Sequence, residues 1–284
     1  MGDRDARQGG GRCVLRDAPL GVFDSGLGGL TVVRALREAL PAEQIVYLGD
    51  TARVPYGTKG EATVIKYALA CARHLVARDV KVLVIACNTV SAVAPDRLRV
   101  ELDIPVLGVI EPGARAAIAA TRNGRVGVLA TTGTISSGAY PRAVAQISTR
   151  VEVIGQPAPL LVPLAEEGWT EGEVPRLVVR RYVEPLAQAG VDVVVLGCTH
   201  YPLLKAVIED EVRSRIGGQV AVIDSARATA ADVGAFLRAR GLAREARGGP
   251  RPVQLLVTDL PQSFREAAAR FLGGHVGDVE QVDL

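Results

Sequence analysis

Eight short apolar runs, separated by longer segments of helical periodicity, constrain the fold of this chain more than any other feature. The runs are rich in Val, Ile and Leu without polar alternation, which is typical of parallel strands covered on both faces. Between them, the segment 61–79 places Ile65, Leu69 and Ala72 three or four residues apart, the spacing of one buried helix face. Strands and helices that alternate in this way predict an α/β fold with parallel sheets. The predicted strands are LGVFDSG (20–26), IVYLGD (45–50), VKVLVIACNT (80–89), IPVLGVIEP (104–112), RVGVLAT (125–131), VEVIGQPA (151–158), VDVVVLGCTH (191–200) and VAVIDSA (220–226).

The second four runs repeat the first four in the same order, which predicts two similar halves. We therefore predict two pseudo-symmetric α/β lobes, each a doubly wound parallel sheet, with the active site in the cleft between the lobes. The short matches that carry the repeat are VFD (22–24) with VLA (128–130), IVYLG (45–49) with VEVIG (151–155), VLVIACNT (82–89) with VVVLGCTH (193–200), and VIE (109–111) with VID (222–224).

The chain after the second set of strands is too short for a further domain. A Gly/Arg-rich stretch, GLAREARGGPRP (241–252), precedes one strand-like and one helix-like segment, which we expect to pack on the first lobe. The predicted organisation is a mobile tail at 1–18, a first lobe at 19–112 plus 225–284, and a second lobe at 113–224. The tail lacks the apolar segment of a secretory signal.

Composition and charge exclude several classes of partner. The 33 Lys and Arg residues against 31 Asp and Glu residues give a net charge of +2, so we expect no binding to nucleic acid or to an anionic membrane. No run approaches the 18 or so apolar residues that a membrane-spanning helix needs. Four cysteines in 284 residues do not make a disulfide scaffold, so we expect a cytoplasmic protein. The oligomeric state stays open, a homodimer included.

Two cysteines stand at equivalent points of the repeat. Cys87 and Cys198 each lie where an apolar strand ends and a helical pattern begins. Ligands of parallel sheets bind outside the carboxyl ends of the strands, and the backbone N–H groups of a helix N-terminus favour anions and thiolates. Two lobes closed face to face would therefore aim two thiols at one ligand from opposite sides.

Opposed acid and base groups are what a cofactor-free racemase needs. One base removes the α-proton from one face of the carbon, and a conjugate acid returns a proton to the other face. A free thiol titrates near about 8.5, so modest tuning brings either protonation state within reach at neutral pH. The chain shows no P-loop, and GLGGLT (26–31) is not a dinucleotide-binding G-x-G-x-x-G pattern. We expect neither a cofactor nor a metal.

Six motifs together resemble the glutamate racemases of the aspartate/glutamate racemase superfamily, in order over about residues 19–235. The resemblance implies reversible conversion of L- and D-glutamate without pyridoxal phosphate or metal, to supply D-glutamate for peptidoglycan. It implies that Cys87 deprotonates D-glutamate and Cys198 deprotonates L-glutamate. The motifs are DSGLGGLTV (24–32), GDTARVPYGTK (49–59), ACNTVSA (86–92), GVIEPGARAA (108–117), LATTGTI (129–135) and GCTHYPLL (197–204).

The same resemblance supplies the other site residues. Asp24 and His200, with the two cysteines, complete the predicted catalytic set, because each could exchange a proton with a thiol or position it. Asp50 has two open interpretations: it faces the substrate ammonium, or it caps a helix or turn. We predict substrate contacts from Asp24, Ser25, Tyr56, Gly57, Asn88, Thr89, Thr199 and His200, several of which can donate hydrogen bonds to carboxylates.

Three other interpretations compete with this one. The nearest is a related cysteine-pair racemase that acts on aspartate, hydantoins or another acidic amino acid. A second is a two-lobed amino-acid-binding protein without chemistry, which the paired cysteines disfavour. A third is a zinc site formed by Cys87, Cys198 and His200, which the absence of any C-x-x-C pair disfavours.

Overall fold

The computed structural model describes residues 16–245 and 251–284. Most of the predicted tail, and the centre of the Gly/Arg-rich stretch, lie outside these ranges. The strands within them are β1 (Leu20–Asp24), β2 (Ile45–Gly49), β3 (Val82–Ile85), β4 (Val106–Gly108), β5 (Arg125–Ala130), β6 (Glu152–Pro157), β7 (Val193–Gly197), β8 (Ala221–Asp224), β9 (Val253–Val257) and β10 (Val279–Gln281). The helices that connect them are α1 (Leu30–Ala39), α2 (Glu61–Val76), α3 (Asn88–Ser91), α4 (Pro95–Glu101), α5 (Ile110–Ala120), α6 (Thr132–Ser136), α7 (Ala139–Ala145), α8 (Leu161–Glu166), α9 (Glu173–Gln188), α10 (Lys205–Arg215), α11 (Ser225–Ala239) and α12 (Pro261–Leu272).

Two parallel sheets share one strand order. The first runs β10-β9-β2-β1-β3-β4 and the second runs β6-β5-β7-β8, so the four-strand unit 2-1-3-4 occurs twice. Every strand pair in both sheets is parallel. The prediction of two similar doubly wound lobes is therefore confirmed.

Strand register corrects two of the four sequence matches. Asp24 pairs with Gly49 in the first sheet, and its counterpart Ala130 pairs with Pro157, so Gly49 corresponds to Pro157 and not to Gly155. The fourth match also fails, because VIE (109–111) leaves the sheet and begins α5, whereas VID (222–224) stays in β8. Apolar matches of three to five residues recur too easily in such chains to fix the correspondence between strands.

Both faces of the central strands are buried, as the lack of polar alternation predicted. In β1, Leu20 and Val22 pack in an apolar cluster with α1, whereas Phe23 packs in a second cluster with α2. Two further clusters cover the faces of the second sheet. Each sheet is thus a layer between helices, and its carboxyl edge is left for the loops that carry the site.

The C-terminal segment extends the first sheet. β9 pairs with β2, β10 pairs with β9, and Phe264 and Phe271 of α12 join the apolar cluster of α1. The predicted boundary between residues 112 and 113 falls inside α5, whose Ile110 packs with the second sheet. The limits of the two lobes stay a prediction at this level of detail.

Candidate active site

A cavity of about 350 Å³ opens between the carboxyl edges of the two sheets. Loops that follow β1, β2 and β3 form one wall, and loops that follow β5, β6 and β7 form the other. The structure brings nine of the ten sequence-predicted site residues to this cavity: Ser25, Tyr56, Gly57, Cys87, Asn88, Thr89, Cys198, Thr199 and His200. The tenth, Asp24, is 1% exposed and lies outside the cavity lining.

Cys87 lies between the end of β3 and the start of α3, on the first-lobe side. Its Sγ is 3.7 Å from Ser25 Oγ, within hydrogen-bond distance for sulfur. Burial, and then the charge of Asp24, raise the pKa of the Cys87 thiol to about 12. The environment of Cys87 therefore favours its protonated form.

Asp24 lies under this half of the site. The N–H of Gly26 donates to its Oδ2 at 3.0 Å, whereas its Oδ1 is buried without a hydrogen-bond partner. Burial raises the pKa of Asp24, although His200 and the nearby backbone N–H groups act in the opposite direction. Asp24 therefore acts on the site through its charge and not through contact with a ligand, because that charge raises the pKa of the Cys87 thiol.

Cys198 is the corresponding thiol of the second lobe, directly after β7. Its Sγ is 3.8 Å from His200 Nδ1, and His200 Nε2 is 3.0 Å from a carboxylate oxygen of Glu166. Burial by itself lowers the pKa of His200, but the hydrogen bonds to Cys198 and Glu166 outweigh it and raise that pKa to about 10. The contacts with a sulfur and a carboxylate therefore favour the imidazolium form of His200.

Glu166 is the main site residue that sequence reasoning missed. It ends α8 and lines the cavity, 34 residues before the histidine that it contacts. No motif surrounds it in VPLAEEGW (162–169). The one available signal was its place on the helix that follows β6, a strand whose carboxyl end faces the same cleft.

Hydrogen-bond donors for a carboxylate come from both lobes. The Tyr140 hydroxyl donates to Asn88 Oδ1 at 2.9 Å and fixes the orientation of the amide, while the Nδ2 at its other end is buried without a partner. Thr89 Oγ1 lies 3.0 Å from Thr131 Oγ1 and 3.3 Å from Thr134 Oγ1, which joins hydroxyls of the two lobes in one cluster. An orphaned amide donor beside such hydroxyls fits an anionic ligand.

Tyr56 and Gly57 form a wall of the cavity, but the tyrosine hydroxyl points away from it. That hydroxyl donates to Asp50, whose two carboxylate oxygens also lie 2.9 and 2.7 Å from Arg53 Nε. Thr258 donates a third hydrogen bond to Asp50 at 2.9 Å. Asp50 lies outside the cavity lining, so the structure does not support a contact with the substrate ammonium. It occupies the N-cap position of the short 3-10 helix Thr51–Arg53, but its side chain makes no capping hydrogen bond.

Tyr56→Phe is expected to make the cavity wall formed by Tyr56 and Gly57 less rigid, because it removes the hydrogen bond from Tyr56 to Asp50. Removal of the hydroxyl leaves the buried Asp50 short of one donor, which costs about 1–3 kcal/mol of folding free energy. We expect KM to rise several-fold with a smaller change in kcat, measured by steady-state kinetics and thermal unfolding. Tyr67→Phe is the control, because the Tyr67 ring contacts Tyr56 and Arg53 while its hydroxyl bonds to no other described residue. Equal effects of the two variants would contradict this account of the wall.

The two lobes also meet directly behind the histidine. The Thr31 hydroxyl donates to the Thr199 carbonyl at 2.8 Å, and a Cβ built on Gly28 would lie 2.3 Å from Thr199 Oγ1 and 2.5 Å from the His200 ring. The glycine is thus required by close approach of the second lobe. Its loop fixes the spacing of the lobes at the cavity.

The zinc interpretation finds no support in the geometry. Over 16–245 and 251–284, no three His, Cys, Asp or Glu side chains lie close enough together to hold a metal ion. In the same ranges, no helix has the length and apolar character needed to cross a membrane.

The fold and the site define a two-lobed α/β enzyme in which each lobe contributes one cysteine to a shared cleft. The sequence model described as Asp/Glu/Hydantoin racemase matches residues 20–233, and the chain belongs to that family of racemases. A glutamate racemase of Geobacter metallireducens is 53% identical over 269 residues, 93% of this chain and 96% of the relative. The motif resemblance is thereby confirmed.

Two solved structures agree with the fold. A glutamate racemase isoform of Bacillus anthracis has a TM-score of 0.89 at 36% identity, over 95% of this chain and 98% of its own. A glutamate racemase of Francisella tularensis, solved in complex with D-glutamate, has a TM-score of 0.85 at 36% identity, over 94% and 98% of the two chains.

Proposed function

We propose that this protein interconverts L- and D-glutamate by proton transfer between two thiols and the two faces of Cα. The observation that carries the proposal is that Cys87 and Cys198 line one cavity from opposite lobes, each beside its own polar partner. The glutamate racemases among its relatives, one of them solved with bound D-glutamate, support glutamate as the substrate.

The two thiols have different neighbours, which suits them to different roles in the proposed reaction. The raised pKa of Cys87 keeps its proton on sulfur, which suits a general acid. His200 Nδ1 lies 3.8 Å from the Cys198 sulfur, within reach to exchange a proton with it, and the proposal assigns Cys198 as the base that acts on L-glutamate. This assignment agrees with the direction that the resemblance implies for L-glutamate.

In the proposed step from L- to D-glutamate, the Cys198 thiolate removes the Cα proton. The electron pair of the broken C–H bond stays on Cα and spreads into the α-carboxylate, whose charge the unpartnered Asn88 amide and the threonine hydroxyls can stabilise. The Cys87 thiol then gives its proton to the opposite face. The products are D-glutamate, a Cys198 thiol and a Cys87 thiolate, which is the starting state for the reverse reaction.

The cellular role in the proposal is a supply of D-glutamate for peptidoglycan synthesis in the cytoplasm. Its support is the motif resemblance and the glutamate racemases among the relatives. A bacterial strain that needs added D-glutamate tests this role. Expression of the protein should allow that strain to grow without the supplement, and failure of the active protein to do so would count against the cellular role.

Incubation of the purified protein with either glutamate enantiomer in deuterated water tests the reaction itself. We expect optical rotation to decay to zero while deuterium enters Cα, because each return proton comes from a solvent-exchanged thiol. D-Aspartate serves as the comparison substrate. Racemisation of aspartate at the same or a higher rate would overturn glutamate as the substrate.

Alkylation of the thiols tests whether both face the substrate. A thiol reagent should modify Cys87 and Cys198 and inactivate the protein, and saturating glutamate should slow modification at both positions, as read by peptide mass spectrometry. Cys71 is the internal control, because it is fully buried in α2 and lies outside the cavity. Modification that glutamate leaves unchanged would place the reactive thiol outside the substrate site.

A further inference from the structure

The C-terminal helix α12 reaches from the first lobe to the Cys198 half of the site. It packs on the apolar cluster of α1 through Phe264, Ala268 and Phe271. It also lies beyond residues 20–233, the part of the chain that matches the family model. Two adjacent residues at its end, Arg270 and Phe271, contact the second lobe.

Arg270 completes the C-terminus of α8. Its guanidinium donates to the carbonyl of Glu166, the last residue of that helix. The preceding carbonyls have partners of their own, because Trp169 N–H donates to Leu164 O at 2.8 Å and Gly168 N–H donates to Ala165 O at 3.2 Å. The arginine therefore takes a remaining helix-end carbonyl, where a cation is favoured by the helix dipole.

Glu166 links Arg270 to His200. Its main-chain carbonyl accepts from Arg270, and its side-chain carboxylate binds the His200 ring. Glu166 lies 3.0 Å from His200 Nε2, and His200 Nδ1 lies 3.8 Å from Cys198 Sγ. The neighbour of the arginine, Phe271, meets the His200 ring edge-on at 5.4 Å between centroids. The end of α12 thus contacts both members of the Glu166–His200 pair from the opposite lobe.

We infer that Arg270 is a positioning residue for the Cys198 half of the site, acting through Glu166 and His200. Its bond to the end of α8 sets where the Glu166 carboxylate meets the imidazole, and hence how the imidazole meets the thiol. The inference rests on the proposed two-thiol racemisation for its kinetic consequence. The C-terminal segment thus supports proton transfer by Cys198 and not by Cys87.

The asymmetry follows from the partners of Cys87. Its charged neighbour Asp24 is the last residue of β1 and its hydrogen-bond neighbour Ser25 follows directly, and neither bonds to Arg270. Loss of the arginine should therefore slow proton removal by Cys198 and leave removal by Cys87 nearly unchanged. Equal loss at both thiols is what general destabilisation would produce.

Elimination from the two enantiomers of 3-chloroglutamate separates the thiols. A single base removes the Cα proton, the electron pair forms the Cα–Cβ double bond, and chloride leaves with the C–Cl electrons. We expect Arg270→Met to slow elimination from the L-analogue about tenfold and from the D-analogue by less than about twofold, since small displacements of a reacting group cost rate steeply. Arg270→Lys, which restores a cation at the helix end, should recover most of the lost rate.

Arg265→Met is the matched control. Arg265 lies on the same helix and is half exposed, but its ion-pair partner is Asp278 at 3.8 Å and not the second lobe. It should leave both eliminations at the rate of the unaltered protein. Equal slowing of the two enantiomers in Arg270→Met, the same slowing in Arg265→Met, or failure of Arg270→Lys to recover the rate would each overturn the positioning role.

A readout without catalysis separates failure of this inference from failure of the proposed function. The ratio of alkylation rates at Cys198 and Cys87, followed by mass spectrometry in one sample, should fall several-fold in Arg270→Met, because a displaced His200 loses the contact through which it exchanges a proton with the Cys198 sulfur. An unchanged ratio in a protein that racemises glutamate would overturn the positioning role alone. A lowered ratio in a protein that racemises nothing would support the positioning role while the proposed reaction fails.

Discussion

Replacement of either Cys87 or Cys198 by serine is expected to lower glutamate racemisation at least about 10³-fold, because general acid–base groups contribute on that order and racemisation needs one on each face. A serine hydroxyl is far too weak an acid to replace a thiol at neutral pH. The circular dichroism and thermal unfolding of both variants should match those of the unaltered protein, since one buried sulfur is exchanged for a smaller oxygen. The measurement is the decay of optical rotation from each glutamate enantiomer.

Each serine variant should still eliminate chloride from one enantiomer of 3-chloroglutamate, because elimination uses only one base. Cys198→Ser retains Cys87 and should process the D-analogue, whereas Cys87→Ser should process the L-analogue. Cys71→Ser is the control: Cys71 is a buried residue of α2 outside the cavity, and burial raises the pKa of its thiol, so we expect it to take no part in proton transfer. Near-normal racemisation by either variant, or elimination from the same enantiomer by both, would show that the two-thiol mechanism is wrong.

The positions of the two thiols could be predicted from the sequence because they follow from local rules. A buried strand that runs directly into a helix places its last residue at the carboxyl edge of a parallel sheet, and the repeat placed Cys87 and Cys198 at matching edges. The same rule brought Asn88, Thr89 and Thr199 to the cavity, since they are chain neighbours of the cysteines. Nothing beyond the strand-to-helix transition was needed for these residues.

The partners of those residues could not be predicted, because packing between distant segments decides them. Glu166 meets His200 only once α8 docks against the β7 loop, and Thr258 reaches Asp50 only because β9 pairs with β2. The spacing of apolar residues along the chain contains no signal for either contact. The same limit explains Asp50, for which the sequence left a substrate contact and a cap equally open, whereas the hydroxyl of Thr258, 208 residues away, donates to one of its oxygens.

Gly28→Ala is expected to have the second largest effect on activity. The new methyl group would lie 2.3 Å from Thr199 Oγ1 and 2.5 Å from His200 Nδ1, the nitrogen that faces Cys198. Either the imidazole turns away from the thiol or the lobes separate at the cavity, and a shift of about 1 Å at a reacting group costs on the order of 10² in rate. Overpacking of this kind should also lower the free energy of unfolding by about 1–3 kcal/mol.

Gly60→Ala provides the matched substitution for this test. Gly60 is exposed just before α2, a Cβ there would meet nothing within 4 Å, and its φ of −68° suits alanine. It should change kcat/KM and the unfolding midpoint very little. A Gly28→Ala variant as active as Gly60→Ala would mean that the lobes can move apart behind His200 without cost. The contact between the Gly28 loop and the β7 loop would then not set the distance between the two thiols, and the rigid spacing that the proposed mechanism requires would have to come from elsewhere in the interface.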